Sequence, residues 1–294
     1  MEVRPRPTLG WTVAAAFVTL VVVGAFVCLI VRSDGDSSPS ESTFSRQFSV
    51  NGHLLYLACQ GAGSPTVVLD AGLGDGHRAW DRVLNGAELD IRVCSYDRWG
   101  VGDSAEYSGD AARPLGDAVD DLHALLAVAG IQPPFVHVSH SIAGLIGRQY
   151  TQRYPDEVAG LVMVDTAPDD WDVYNDQPVF SSGGESLDIA EVAGALRASD
   201  RLGDRPVVVV KAARTSEISG APEFAGYWQA AQRHLAELSS NAMYVVAADS
   251  NHGVPASQPA LVRAAIGLVV HAAQRGERLP ACAGSTLPPL GGTC

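Results

Sequence analysis

The sequence predicts an α/β domain: a mostly parallel sheet with helices on both faces. Three observations carry the prediction. Short valine-rich apolar runs recur along the chain, such as 66–70 (TVVLD) and 206–211 (PVVVVK). Amphipathic stretches with helical periodicity separate them. The runs are nearly unbroken rather than alternating, as expected of parallel strands covered on both faces.

At the N-terminus, no charged residue lies between Pro7 and Val31. As a helix rising about 1.5 Å per residue, residues 11–31 are long enough for a hydrocarbon core of about 30 Å. Arg4 and Arg6 precede the segment, and Arg32, Asp34 and Asp36 follow it. That bias keeps residues 1–10 in the cytoplasm and places the rest outside. The expectation is a single-pass membrane protein with a signal-anchor helix and an extracytoplasmic domain. The alternative is secretion after signal cleavage. Cleavage requires a shorter apolar region and a small-x-small site, which Val31-Arg32-Ser33-Asp34 does not offer. A lipoprotein signal would need a small residue before Cys28, where Val27 stands. Residues 32–47, with SDGDSSPSEST at 33–43, read as a flexible linker.

The folded domain is expected over 48–276. Strand-like runs lie at 54–59, 66–70, 91–96, 135–139, 160–165, 206–211 and 243–247. Helical patterns lie near 77–86, 115–129, 142–154, 187–199, 222–239 and 257–274. Residues 166–204 interrupt this rhythm with Trp171, Tyr174, Phe180 and one weak helix. An insertion of that length in a compact domain is usually functional or mobile. Residues 277–294 are rich in Pro and Gly and read as a loop tail.

Composition narrows the function. Of 294 residues, 47% are apolar and 18% charged, which excludes a disordered chain. The net charge of -13 argues against nucleic-acid binding, which needs a basic surface. Residues 1–32 hold Glu2 against Arg4, Arg6 and Arg32, a contribution of +2, so the remainder carries -15. No C-x-x-C pair occurs, and the histidines lack ligand spacing, so neither a metal nor a cofactor is expected.

One strand-to-helix junction carries the chemistry. Residues 135–150 read FVHVSHSIAGLIGRQY, with Ser139-His140-Ser141-Ile142-Ala143 at the corner. This is a small-x-Ser-x-small nucleophile elbow, with Ser139 and Ala143 where glycines usually stand. A tight turn there pushes the Ser141 hydroxyl above the sheet, and small flanks let strand and helix approach. A bland alternative is a helix N-cap serine, Ser139 or Ser141. The next strand ends in Asp165, and the last is followed by Asp249-Ser250-Asn251-His252. Nucleophile, acid and histidine would then sit at the carboxyl ends of strands, where open α/β sheets place their sites. Upstream, Ala71-Gly72-Leu73-Gly74 can aim a backbone N–H at the elbow. The oxyanion donors would be the N–H groups of Leu73 and Ile142. The same loop fails as a dinucleotide fingerprint, because His77 stands where the third glycine belongs.

These residues resemble the α/β-hydrolase superfamily, in its secreted or membrane-anchored serine-hydrolase branch. The matching stretches are SPTVVLDAGLG (64–74), RVCSYDRWGVGDS (92–104), VHVSHSIAG (136–144), LVMVDTAP (161–168) and SNHGVPASQP (250–259). The resemblance implies the α/β-hydrolase fold: an eight-stranded, mostly parallel sheet with a cap inserted after the sixth strand, where residues 166–204 fall. It implies Ser141 as nucleophile, His252 as base and an acid that orients the imidazole. In many relatives that acid follows the seventh strand, but here the strand leads into AARTSE (212–217) without an Asp. Asp165 is therefore favoured, with Glu217 as rival. His140 matches a pocket-wall position, and Asp97-Arg98 matches a motif that holds loops together.

In the implied fold Cys59 and Cys94 lie on adjacent strands and can pair. Cys282 and Cys294 could close a loop in the tail. Two disulfides would agree with an oxidising compartment. The expected substrates are carboxylic esters, small-molecule or lipid. An amidase, peptidase or C–C hydrolase using the same triad is the alternative within enzymes. A non-catalytic binding module is the alternative outside them. The sequence specifies no oligomeric state.

Overall fold

Unbroken apolar runs can satisfy their backbone polar groups only by pairing with each other, and their side chains only by being covered on both faces. The computed structural model shows this outcome. It describes residues 1–2, 43–85, 91–199, 201–215 and 223–294. The expected membrane anchor at 11–31, most of its cytoplasmic flank, most of the linker and the rival acid Glu217 lie outside the described residues. Among the described residues no helix is long and apolar enough to cross a membrane.

The chain opens with β1 (Phe44–Val50) and β2 (His53–Gln60), then β3 (Thr66–Asp70). A short helix α1 (Asp81–Leu84) precedes β4 (Val93–Tyr96), and the two-residue β5 (Arg113–Pro114) leads into α2 (Leu115–Val128). Next come β6 (Phe135–His140), α3 (Ala143–Arg153) and β7 (Val158–Val164). The inserted cap holds α4 (Trp171–Tyr174), β8 (Val179–Ser182), β9 (Glu185–Asp188) and α5 (Ala190–Ser199). The sheet resumes with β10 (Val207–Arg214), followed by α6 (Phe224–Glu237) and β11 (Ala242–Asn251). Helices α7 (Val254–Ser257) and α8 (Pro259–Arg275) and the short β12 (Gly292–Thr293) complete it.

The main sheet has the order β1-β2-β4-β3-β6-β7-β10-β11-β12. Its interior strands β4, β3, β6, β7, β10 and β11 run parallel. Every residue of β3, β4 and β6 is buried. One apolar layer joins the sheet to α2, α3, α5 and α6, and the other joins it to α1 and α8. A second, three-stranded sheet β5-β9-β8 ties the cap to the body.

Three expectations need correction. The linker was expected to run to residue 47, but β1 begins at Phe44. Its pattern FSRQFSV is polar because β1 is an edge strand, paired with β2 alone, with most side chains facing solvent. The sheet has nine strands rather than eight, and the ninth comes from the supposed loop tail. There Gly292 and Thr293 pair antiparallel with Ala247 and Val246. The tail is held by tertiary contacts, not by local propensity: Leu287 is fully buried, and Cys282 is joined to Cys294. The second disulfide joins Cys59 to Cys94, which are direct register partners on β2 and β4.

Candidate active site

Parallel register brings the ends of β6 and β7 level, with His140 opposite Val164. At the end of β6 the chain turns through Ser141 and Ile142 into α3. Ser141 has φ 56°, a left-handed conformation that costs a non-glycine residue on the order of 1–3 kcal/mol. Neighbouring backbone holds it there. The Ser141 N–H donates to Val164 O at 3.2 Å, and its carbonyl accepts the Ala167 N–H at 2.9 Å. The first turn of α3 lies so close to the chain after β7 that a Cβ on Gly144 would come within 2.3 Å of Thr166. Packing against Thr166 thus excludes a side chain at position 144.

Asp165 follows β7 with φ 46° and is fully buried. Its N–H donates to Val210 O on β10 at 2.7 Å. Its Oδ1 accepts two hydrogen bonds, from the Trp228 indole N–H and the Ala212 N–H, both at 2.9 Å. Its Oδ2 lies 2.7 Å from His252 Nδ1, and His252 Nε2 lies 2.9 Å from Ser141 Oγ. A carboxylate on Nδ1 selects the tautomer with its proton there. That leaves Nε2 as an acceptor for the serine hydroxyl. Ser141, His252 and Asp165 are thus one hydrogen-bonded chain that can move a proton off a nucleophile.

His140 was expected on the pocket wall. Instead it is buried, with Nε2 2.8 Å from the His252 carbonyl oxygen, and it fixes the backbone that carries the His252 ring. Burial, helped by the neighbouring His252 ring, pushes its pKa down to about 4. A neutral His140 donates from Nε2 to that carbonyl. Asp249 does not serve the imidazole, whose Nδ1 is held by Asp165; the Asp249 backbone is tied instead to Gln258 and Arg214.

Beside Ser141 Oγ lies a cavity of about 170 Å³. Leu73, Ile142 and Ala167 line it together with the aromatic rings of Trp171, Phe180 and Trp228. Both predicted oxyanion residues therefore border the space where a carbonyl would meet Ser141. Among the described residues neither of their N–H groups has a protein acceptor. Trp228 belongs to no motif in the sequence. It sits on α6, 63 residues from Asp165, and only helix packing on β10 brings it there. The one available signal was a tryptophan on the apolar face of an amphipathic helix.

The buried polar groups also predict a pH dependence of stability. Burial pushes His137 and His140 from 6.5 down to about 4. Burial also pushes Asp70 from 3.8 up to about 6, against the pull of Arg98. Near pH 5 the unfolded chain protonates both histidines while the folded chain protonates neither. The folded chain protonates Asp70 while the unfolded chain does not. On balance the unfolded state binds about one more proton, so stability should fall by about 1.4 kcal/mol per pH unit as pH drops from 6 to 5. Urea unfolding at the two pH values checks this. Equal or greater stability at pH 5 would show that the histidines are not held neutral.

A family model described as the alpha/beta hydrolase fold matches residues 65–209. YqjL of Bacillus subtilis strain 168 is 23% identical over 217 residues, 70% of this chain and 84% of that protein. RutD of Yersinia enterocolitica, named as a carbamate hydrolase, is 36% identical over 117 residues, 39% of this chain and 41% of that protein. A thermophilic esterase from Thermogutta terrifontis superposes with a TM-score of 0.58 at 19% identity, covering 78% of this chain and 99% of that one. With a turn through Ser141 at the end of β6 and a cap between β7 and β10, the chain has the α/β-hydrolase fold, and the proteins it resembles include named hydrolases.

Proposed function

We propose that this protein is a serine hydrolase that cleaves carboxylic esters through an acyl-enzyme. The observation that carries the proposal is the hydrogen-bonded chain Ser141–His252–Asp165 opening on an apolar cavity. Ser141 Oγ attacks the ester carbonyl while His252 Nε2 takes its proton. The Leu73 and Ile142 N–H groups stabilise the negative charge that develops on the carbonyl oxygen. His252 then protonates the departing alcohol, leaving the acyl group on Ser141. Water repeats the sequence with His252 as base. Asp165 holds the tautomer and stabilises the imidazolium. Trp171, Phe180 and Trp228 supply an apolar wall for an acyl chain.

The same chemistry serves carbamates and amides, and the RutD relative keeps that second reading in play. The apolar run at 11–31 supports a membrane anchor with the catalytic domain outside the cytoplasm. The two disulfides agree with that side of the membrane.

One reagent class tests the proposal. A fluorophosphonate should modify the protein once, with the adduct on the Ser141 peptide by mass spectrometry. A membrane-impermeant version should label it on intact cells; labelling only after lysis would overturn the outside placement. A series of p-nitrophenyl esters of rising chain length, with a matched anilide and carbamate, then identifies the bond cleaved. A folded protein that never labels would overturn the hydrolase proposal in favour of a binding module.

A further inference from the structure

The cap contributes a charged residue to the loop that bears the Leu73 N–H. Arg98 is buried under that loop and makes five hydrogen bonds. Its Nη2 donates to Gly72 O at 2.6 Å, and its Nη1 to Ala71 O at 2.7 Å and Asp70 Oδ1 at 2.7 Å. The remaining two go to a cap residue, Glu185, at the start of β9. Nε reaches Oε1 at 2.6 Å, and Nη2 reaches Oε2 at 2.7 Å. Glu185 Oε2 also accepts the Gly74 N–H at 2.9 Å. All of these hydrogen bonds of the Glu185 carboxylate leave the cap.

The geometry of the peptide group gives this arrangement a consequence. The Gly72 carbonyl and the Leu73 N–H belong to one planar trans unit and point in opposite directions. Anchoring that carbonyl on Arg98 therefore aims the Leu73 N–H. The next peptide group is anchored through the Gly74 N–H on Glu185. One buried ion pair thus brackets Leu73 from both sides. The backbones also touch: a Cβ on Gly74 would come within 2.5 Å of Ser182, and one on Gly183 within 2.6 Å of Gly74 O. The hairpin turn of the cap is seated on the loop itself. Burial opposes ionisation of Glu185, but the Arg98 charge and hydrogen bonds, with the Gly74 N–H, outweigh it and hold its pKa below the usual range.

We infer that Glu185 of the cap is a positioning residue for the oxyanion-stabilising N–H of Leu73, acting through Arg98 and Gly74. The inference rests on the serine-hydrolase function proposed above. A preorganised donor is valuable because it needs no rearrangement as charge develops, and a small misplacement is costly.

The test uses the full-length protein in detergent, with active sites counted by fluorophosphonate labelling. Glu185→Gln removes the charge at nearly constant shape. The kcat per labelled site should fall by about tenfold to a hundredfold with KM nearly unchanged. Affinity for a boronic acid, whose tetrahedral adduct occupies the same donors, should fall in parallel. A purely structural role would instead lower Tm and the number of labelled sites while leaving kcat per site unchanged, and that result overturns the inference. Gly183→Ala changes only an exposed hairpin turn and pushes it off the loop. It should lower kcat per site in the same direction, by about threefold to tenfold, and it decides the matter if Glu185→Gln does not fold. Unchanged kcat per site in Gly183→Ala would then overturn the inference. A wild-type protein that neither labels nor turns over would overturn the parent function instead.

Discussion

Ser141→Ala should reduce turnover by about a millionfold while leaving the protein folded. The change removes the only atom that would form the acyl bond. It leaves the elbow in place, because the Ser141 N–H and carbonyl bonds to Val164, Ala167 and Gly144 are made by the backbone. Alanine is smaller than serine, so no clash is introduced at a corner already packed by Gly144. Residual activity would come from the N–H groups of Leu73 and Ile142 acting on bound ester and water. Steady-state kinetics with the best ester, alongside thermal unfolding, makes the measurement. A folded Ser141→Ala protein that keeps even one-hundredth of wild-type turnover would place the nucleophile elsewhere.

Asp165→Asn should lower kcat by about 10⁴-fold, and the structure says why the loss would be so large. Oδ1 already accepts two N–H donors, from Trp228 and Ala212. The oxygen of an asparagine would stay there, because an amide NH2 would face both donors. The NH2 would then occupy the Oδ2 place, 2.7 Å from His252 Nδ1. A donor at that point favours the tautomer with its proton on Nε2. That nitrogen could no longer accept the proton of Ser141. The substitution nearly conserves shape, so Tm should change far less than kcat. Glu217→Gln is the matched comparison. If it abolished turnover while Asp165→Asn kept it, Glu217 would be the acid.

Much of this arrangement was legible before any coordinates. The strand-turn-helix at 135–150 is local, and its small flanking residues follow from the geometry of a tight corner. The order of Ser141, Asp165 and His252, each after an apolar run, follows from chain order alone. The edge strand β1 escaped notice because a strand paired on one side, with most side chains in solvent, has no apolar signature. Strand β12 escaped because two residues carry no periodicity, and their pairing depends on the Cys282–Cys294 loop and buried Leu287. The resemblance implies that Asp97-Arg98 holds loops together. Asp97 does this by accepting N–H bonds from His77 and Asp103. Arg98 does it with a partner, Glu185, that lies 87 residues away.

The sequence by itself determined the fold class, the strand-turn-helix corner at Ser141 and the candidates for nucleophile, base and acid. Periodicity, small-residue spacing and chain order are properties of neighbouring residues, and they survive in one dimension. Only the tertiary structure decided which candidates meet. The parallel register of β6 with β7, and the packing of α6 on β10, set Asp165 between Trp228 and His252. The cap then laid Glu185 against Arg98 beneath the loop that carries Leu73. Hydrogen bonds require groups to meet within about 3 Å. For residues tens of positions apart, only the packed sheet and its insertions can fix such distances.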